Sequence, residues 1–419
     1  MNRKTFLWFG GLGVILGLVP GKASSIDSMK EQGGVPNPQL ADNCKGSGIA
    51  PTYKSKDGNM FELEDPGDPW YHNDGCLGLK NMVSEFDADL RTGFYTTSDS
   101  IKMRVPASIR GKRSGFGNPN GEYPPKSGTC IQFEMHGIRI GRSANLIGNG
   151  TDDRISLPII ENLCLLRNPL ITSHEKLGDG AAIWTDLPSD QLTIQNINIT
   201  CSMYGLLNTS YIDAFRIRGM HTGRVTYPIY FSSKEEAGQF TASWYGTVSD
   251  CCFADGDGPV VIQGTSQPWN FSNVIIVRQG RKKTDFPACN IFWGVDNGRF
   301  DAGVIDSPGT TFQTFDGSVR RSGEQIDADG MIIQGQGNTI STIFKDAYGK
   351  GKANLRLMSG SNKNIIQSQF AGTKGGAVDL IIEEGCEDNL VFVVPGMKII
   401  DKGKGTKYVG IEWAEFVEW

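Results

Sequence analysis

An asparagine that returns at a nearly constant interval governs the C-terminal half of this chain. The segments MIIQGQGNTIST, LRLMSGSNKNIIQSQF and DLIIEEGCEDNLVFVV align on Asn338, Asn364 and Asn389, so the interval is 26 and then 25. The same ruler carried upstream meets Asn297, Asn273, Asp250, Thr222, Asn196, Asn168 and Asn145 at steps of similar size. Only the step from Asn297 to Asn338 is much longer and breaks the series. It holds the polar segment PGTTFQTFDGSVRRSGEQ (308–325), which reads as a loop extruded from one repeat.

Each repeat carries short β-branched runs such as VVIQG, NVIIV, GMIIQG and NIIQSQF, punctuated by Gly, Asn and Asp. The runs are too short for helices and lack the helical period, so each repeat is a coil of short strands joined by turns. One coil cannot bury its apolar face alone; stacked coils share a continuous core and pair each strand with its equivalent in the next. Asparagine suits the turns because it tolerates left-handed backbone and its amide can bond to the asparagine of the adjacent coil. A propeller would need roughly 40 to 50 residues per blade, and hairpin signals are scarce. The fold class expected is all-β: a right-handed single-stranded parallel β-helix of about ten coils over residues 128–400.

The flanks differ from the repeats. Arg3 and Lys4, the apolar run FLWFGGLGVILGLV (6–19) and the small residue Ala23 form the three regions of a secretory signal peptide, residues 1–23, with cleavage after Ala23. Asn2-Arg3-Lys4-Thr5-Phe6-Leu7 also resembles a twin-arginine signal with Lys for the second arginine. Residues 24–127 are loop-rich, with Leu79, Met82, Val83, Phe86 and Leu90 on one face of a helix over 77–91. That region is expected to cap or dock the open N-terminal end, whose strands and core would otherwise lie bare. Residues 401–419, ending GIEWAEFVEW, are expected to plug the other end, or else to form an exposed aromatic tail.

Charge and cysteine usage narrow the partners. Lys plus Arg is 41 and Asp plus Glu is 46, a net −5; loss of the leader removes three basic residues and leaves −8. No run of clustered Lys or Arg offers the basic face that phosphate binding needs, so nucleic acid is not an expected partner. No segment reaches the roughly 18 to 20 apolar residues of a membrane span, so no integral segment is expected after signal cleavage. Nine cysteines, at 44, 76, 130, 164, 201, 251, 252, 289 and 386, form no CxxC pair, so a structural zinc site is not expected. Cys164, Cys201 and Cys252 sit among Leu, Ile and Phe and read as core residues. Cys44 and Cys76 are the pair chosen for a disulfide. Asn149, Asn198, Asn208 and Asn270 lie in Asn-X-Ser/Thr sites, relevant only in a eukaryotic secretory route.

With ANLIGNG, SNVIIVRQG, QGNTIST, NKNIIQSQF and EDNLVFVV in place, residues 128–400 resemble the pectate-lyase-like superfamily of right-handed parallel β-helix proteins. That resemblance is one of architecture and implies a choice among secreted polysaccharide lyases, polygalacturonase-type hydrolases, phage tailspikes and noncatalytic adhesins.

Three constellations are candidates for chemistry. CCFADGDGPVVIQG (251–264) resembles the polygalacturonase segment in which adjacent aspartates precede an apolar strand, with a glycine here between Asp255 and Asp257. On extended backbone the two would share a face about 7 Å apart, suited to an acid and base flanking a glycosidic bond. The Gly-His-Gly and Arg-Ile-Lys signatures of that family do not follow, and D-G-D-G reads equally as a turn or a calcium loop. One coil earlier, Arg216 and Arg218 alternate on a strand, with His221 and Arg224 at the following turn. Cations beside Asp250, Asp255 and Asp257 suit a lyase, which needs a base at a uronate C5 proton and positive charge at its carboxylate. Alternatively the arginines pair with Asp213 or Asp250. The third group is Glu134, His136 and Arg139.

The resulting expectation is a secreted, periplasmic or cell-surface protein that binds and cleaves an extended polysaccharide by hydrolysis or elimination. Asp255, Asp257, Asp250 and His221 would be catalytic, and Arg216, Arg218 and Arg224 would hold substrate. No cofactor is expected for hydrolysis, and calcium for elimination. The alternatives are a noncatalytic adhesin and a tailspike-like glycan binder, which would be a trimer.

Overall fold

The computed structural model describes residues 88–90, 93–97, 100–103, 108–112, 128–133, 136–140, 155–167, 180–185, 189–200, 202–209, 212–231, 243–265, 268–281, 284–310 and 325–418. The chain divides into residues 1–35 and 36–419, and every described residue belongs to the second unit. The leader, most of the expected helix, Cys44, Cys76, Asn145 and Asn168 lie outside the described residues.

Within this set the chain winds into a parallel β-helix. One sheet has 17 strand segments and a second has twelve strands; a four-stranded and a two-stranded sheet complete the coils. Every ladder between neighbouring coils of the two large sheets runs parallel, as in Thr193–Thr200 against Ile159–Arg167 and Arg216–Gly223. The core follows from the alternation of side chains along each strand. Ile160, Ile194, Ile217, Val248, Phe271, Phe300, Ile340, Ile366 and Val391 stand in register along the first sheet, all buried. Ile291, Met331, Leu355, Leu380 and Ile399 do the same along the second. Each such side chain contributes about 1.5–3 kcal/mol of burial, which only stacking makes available.

Left-handed residues set the corners, and they form three columns. Leu157, Gln191, Ala214, Tyr245, Asn297, Gly337, Lys363, Asp388 and Gly405 have positive φ three residues before the first-sheet register position. Asn162, Asn196, Gly219, Asp250 and Asn273 bend the first-sheet strand at its middle. Arg224, Asp255, Arg278, Ser307, Asp346 and Gly372 turn the chain after it. Left-handed backbone costs a residue with a Cβ roughly 1–2 kcal/mol. In the middle column, side-chain bonds offset part of that: Asn196 Nδ2 donates to Asn162 Oδ1 (3.0 Å) and Asn273 Nδ2 to Asp250 Oδ1 (2.8 Å).

The asparagines of the repeat therefore occupy more than one column. Asn196, Asp250 and Asn273 are mid-strand bends, and Asn297 is a first-column corner. Asn338, Asn364 and Asn389 follow that corner by one residue and point into the core, fully buried. Thr222 is no bend; Gly219 is, and Thr222 faces inward three residues later. Coils of unequal length make all of these positions recur at nearly the same interval, so spacing alone cannot separate them. The buried column forms the ladder that the sequence suggests. Asn364 Oδ1 accepts from Asn338 N (2.9 Å) and Nδ2 (3.0 Å), Asn389 Oδ1 accepts from Asn364 N (2.9 Å) and Nδ2 (3.1 Å), and Trp293 Nε1 donates to Asn338 Oδ1 (3.2 Å).

Both expected boundaries shift. Ala88–Asp89 is a strand and not the end of a helix; it pairs with Ser108–Arg110, and Gly93–Thr97 pairs with Thr129–Phe133. Coils thus begin by Ala88, well before position 128. Strands of two to five residues broken by long polar stretches leave too little alternation to read. At the other end, Lys407–Val409 and Ala414–Phe416 continue both large sheets. This is a final coil and no buried plug: Ile411, Trp413 and Phe416 stay 53%, 51% and 51% exposed. At the insertion, Thr310 and Gln325 bridge in antiparallel fashion and pinch its base, while 311–324 lie outside the described residues. Among the described residues no helix is long and apolar enough to cross a membrane.

Candidate functional site

The outer face of the first sheet, before the mid-strand bend, is built from alternation alone. In-register outward pairs are Thr193 and Gln195, Arg216 and Arg218, Thr247 and Ser249, Asn270 and Ser272, Arg299 and Asp301, Thr339 and Ser341. Each pair lies about 4.8 Å from the next. All are polar and none is buried, so six consecutive coils present two straight rows of hydrogen-bonding side chains.

Arg216 and Arg218 stand near one end of this face, exposed and on one side of the strand as expected. Arg216 has no ion-pair partner among the described residues. Arg218 Nε reaches Asp250 Oδ2 at 3.1 Å, one coil on, an exposed pair worth little in water. The hydrogen bond from Asn273, joined by that from Arg218, holds the Asp250 carboxyl below the usual carboxylate range. Gly219, at φ 64°, then bends the strand. The bend separates Arg216 and Arg218 from His221 and Arg224, so the basic cluster does not share one face. His221 is half-buried, in register with Asn198 and Cys252, and burial pushes its ionisation below the ordinary histidine value.

Asp255 and Asp257 lie on a turn, not on extended backbone. Asp255 occupies the third left-handed column at φ 60°. At Gly256 a Cβ would collide with Gln279 Oε1 and stand 2.6 Å from Val225 O, which explains the glycine between the acids. The shared-face separation expected for a strand does not apply. Each carboxylate instead meets an arginine of the next coil. Arg278 Nε and Nη2 donate to Asp255 Oδ1 (2.6 Å) and Oδ2 (3.1 Å), and Arg281 Nη2 donates to Asp257 Oδ1 (2.9 Å). The bond to Asp255 raises the Arg278 ionisation above the usual arginine value. Along the same corner, Lys345 Nζ lies 3.5 Å from Asp306 and Lys374 Nζ 2.8 Å from Asp346. The corner is a ladder of opposite charges in successive coils.

Arg278 and Arg281 are the residues that sequence reasoning missed. Each follows its aspartate by one repeat, 23 residues for Arg278 and 24 for Arg281, against the 23 that separate Asp250 from Asn273. Applying the repeat to charges as well as asparagines would have found them. A calcium ion at this turn would have to displace a guanidinium from each acid. Among the described residues no three His, Cys, Asp or Glu side chains converge as metal ligands. In the third constellation Glu134 lies outside the described residues. His136 and Arg139 both pack on Trp184 of the second sheet, with ring centroids 4.9 Å apart and the guanidinium 4.3 Å from the indole centroid.

No family model matches the chain, and no curated protein matches it. Among solved structures it is similar to DFA-IIIase from Arthrobacter chlorophenolicus A6 in complex with GF2, at 13% identity and a TM-score of 0.46, over 74% of this chain and 84% of that one. It is likewise similar to a point mutant of that enzyme in complex with DFA-III, at 13% identity and a TM-score of 0.43, over 74% and 85% of the two chains. The fold assignment rests on the register of the strands and takes nothing from likeness at this level.

Proposed function

We propose that this is an exported protein, periplasmic, secreted or at the cell surface, that binds an extended polysaccharide along the outer face of its coils. The observation that supports it is the pair of polar rows from Thr193 and Gln195 to Thr339 and Ser341. A long chain of hydroxyls and carboxylates needs many modest hydrogen-bond partners at a regular interval, and a packed apolar pocket cannot supply them. Arg216, unpaired in the rows, and Arg218, in a weak exposed pair, would take a carboxylate. Arg224 would meet the chain beyond the bend.

Cleavage belongs to the same proposal, with Asp255, Asp257, Asp250 and His221 as its acids and bases. For Asp255 to act, a substrate carboxylate must first take its place on Arg278, so only an acidic glycan would free it. No step is routed through calcium. A second reading, a noncatalytic adhesin, is favoured by one fact: each of the three aspartates already accepts a hydrogen bond from an arginine.

The test is affinity electrophoresis against uronic-acid and neutral polysaccharides, with product release followed by reducing ends and by the absorbance of unsaturated product. Arg216→Ala with Arg218→Ala should weaken retention by the acidic glycans about tenfold or more, two charge-assisted bonds being removed. Asp255→Asn and Asp257→Asn should lower turnover by about 10²-fold or more if they are the acid and base. Retention without turnover on every substrate selects the adhesin. Absence of retention by any glycan refutes the proposal.

A further inference from the structure

Cys130 and Cys164 are direct register partners on neighbouring parallel strands, Thr129–Phe133 and Ile159–Arg167. Side by side in a parallel ladder, their Cα atoms stand about 4.8 Å apart, inside the roughly 4.4–6.8 Å window of a disulfide. Both side chains turn to the outer side of the first sheet, where with Leu166 they form a small buried cluster of their own. Both stand as free thiols in the structure, and burial, together with the neighbouring Cys164, pushes the Cys130 thiol well above its ordinary value. Among the described residues these are the only two cysteines that are register partners. Cys251 and Cys252 are adjacent in sequence and face opposite sides of their strand, and Cys289 and Cys386 sit in separate coils.

We propose that Cys130 and Cys164 form a disulfide that staples these two coils when the chain folds in an oxidising compartment. The two thiols lose two protons and two electrons, the S–S bond forms, and a disulfide donor such as oxidised glutathione is reduced to two thiols. Both sulfurs are buried in the finished fold. Exchange therefore takes place as the coils assemble, through a mixed disulfide on whichever cysteine is still open to the donor. The bond closes the segment from 130 to 164. It fixes the coil whose neighbour carries Thr193 and Gln195, the first members of the polar rows, because Asn198 of that strand is the register partner of Cys164. The proposal stands without the glycan reading, since register and burial carry it alone.

The test refolds the full-length reduced chain in a glutathione redox buffer, then blocks free thiols with iodoacetamide in denaturant and digests with trypsin. Cleavage after Lys126, Arg139, Arg154 and Arg167 places the two cysteines in separate peptides, 127–139 and 155–167. The expected result is these peptides joined, lighter than their sum by two hydrogens, with Cys251, Cys252, Cys289 and Cys386 alkylated. Reduction should then lower the urea midpoint of the wild type and leave that of Cys130→Ser with Cys164→Ser unmoved. Folded protein in which both cysteines are alkylated overturns the proposal, as does either one joined to a different partner.

Discussion

Replacing Asn364 by alanine should be among the most damaging single changes this protein can suffer outside its apolar core. The Asn364 amide makes four hydrogen bonds: it accepts from Asn338 N and Nδ2 and donates to Gly335 O (3.2 Å) and Asn389 Oδ1. Asn338, Asn364 and Asn389 are all 0% exposed, so water cannot replace what is lost. Alanine leaves two donors on Asn338 orphaned and deprives the Gly335 carbonyl of its side-chain partner. Asn389 Oδ1 keeps the bond from the backbone N–H at 364. At about 1–3 kcal/mol for each orphaned buried donor, the loss is about 2–6 kcal/mol, against a total stability on the order of 5–15 kcal/mol. The comparison is Asn273→Gly. Its amide bonds to Asp250 at an exposed corner, and glycine accepts the φ of 51° freely, so the change should stay under about 1 kcal/mol. Equilibrium urea unfolding followed by far-ultraviolet circular dichroism measures both. An Asn364→Ala midpoint within error of Asn273→Gly would refute the claim that the buried amide column, and not asparagine at corners generally, holds the C-terminal coils.

Three further outcomes are expected. Gly256→Ala should cost at least about 2 kcal/mol or yield insoluble protein, whereas Gly223→Ala, with nothing within 4 Å of the new methyl, should stay within about 0.5 kcal/mol; equal effects would contradict the packing at the Asp255 turn. Burial lowers the ionisation of His221, so the unfolded chain takes up a proton that the fold resists. Its contribution to stability is complete above about pH 6.5 and is lost as pH falls from there toward the lower folded value. Titration of the four histidines by proton resonance, with His221→Gln to assign the signal, checks this; a His221 midpoint at or above 6.5 refutes it. Cys251, whose thiol burial pushes up to about 12, should resist iodoacetamide at pH 8 in the folded protein while the half-buried Cys252 reacts first; the reverse order would contradict the burial of Cys251.

What could be read without coordinates follows from how each feature is encoded. The coil and its recurring asparagine were legible because Asn338, Asn364 and Asn389 belong to consecutive, uninterrupted coils of nearly equal length, where one interval serves the whole repeat. Upstream, loops of differing length let Thr222 stand where Gly219 belongs. The strands around Ile101, Met103 and Ile109 were hidden because each is only three residues long. Arg216, Arg218, Asp255 and Asp257 were found as residue types, but their relation was not. A left-handed glycine leaves no mark that distinguishes it from any other glycine, so the bend at 219 that parts the arginines from His221 was invisible. The arginine that clamps Asp255 lies one repeat on, and the interval, applied here only to asparagines, would have pointed to it.

The amide ladder also has a direction. Trp293 Nε1 donates to Asn338, Asn338 Nδ2 to Asn364, Asn364 Nδ2 to Asn389, and Asn389 Nδ2 to Ser361 O (2.9 Å). The first three donations run toward the C-terminal coils, so their dipoles add and each bond polarises the next by about 10–30%; the Asn389 amide turns back to the coil of Asn364 and ends the run. The indole at the head of this chain is fully buried and sits in the field of amides that reach three coils away. Its emission is thereby expected to gauge the far coils: a substitution at Asn389 should shift the part of the fluorescence that this one of eight tryptophans contributes.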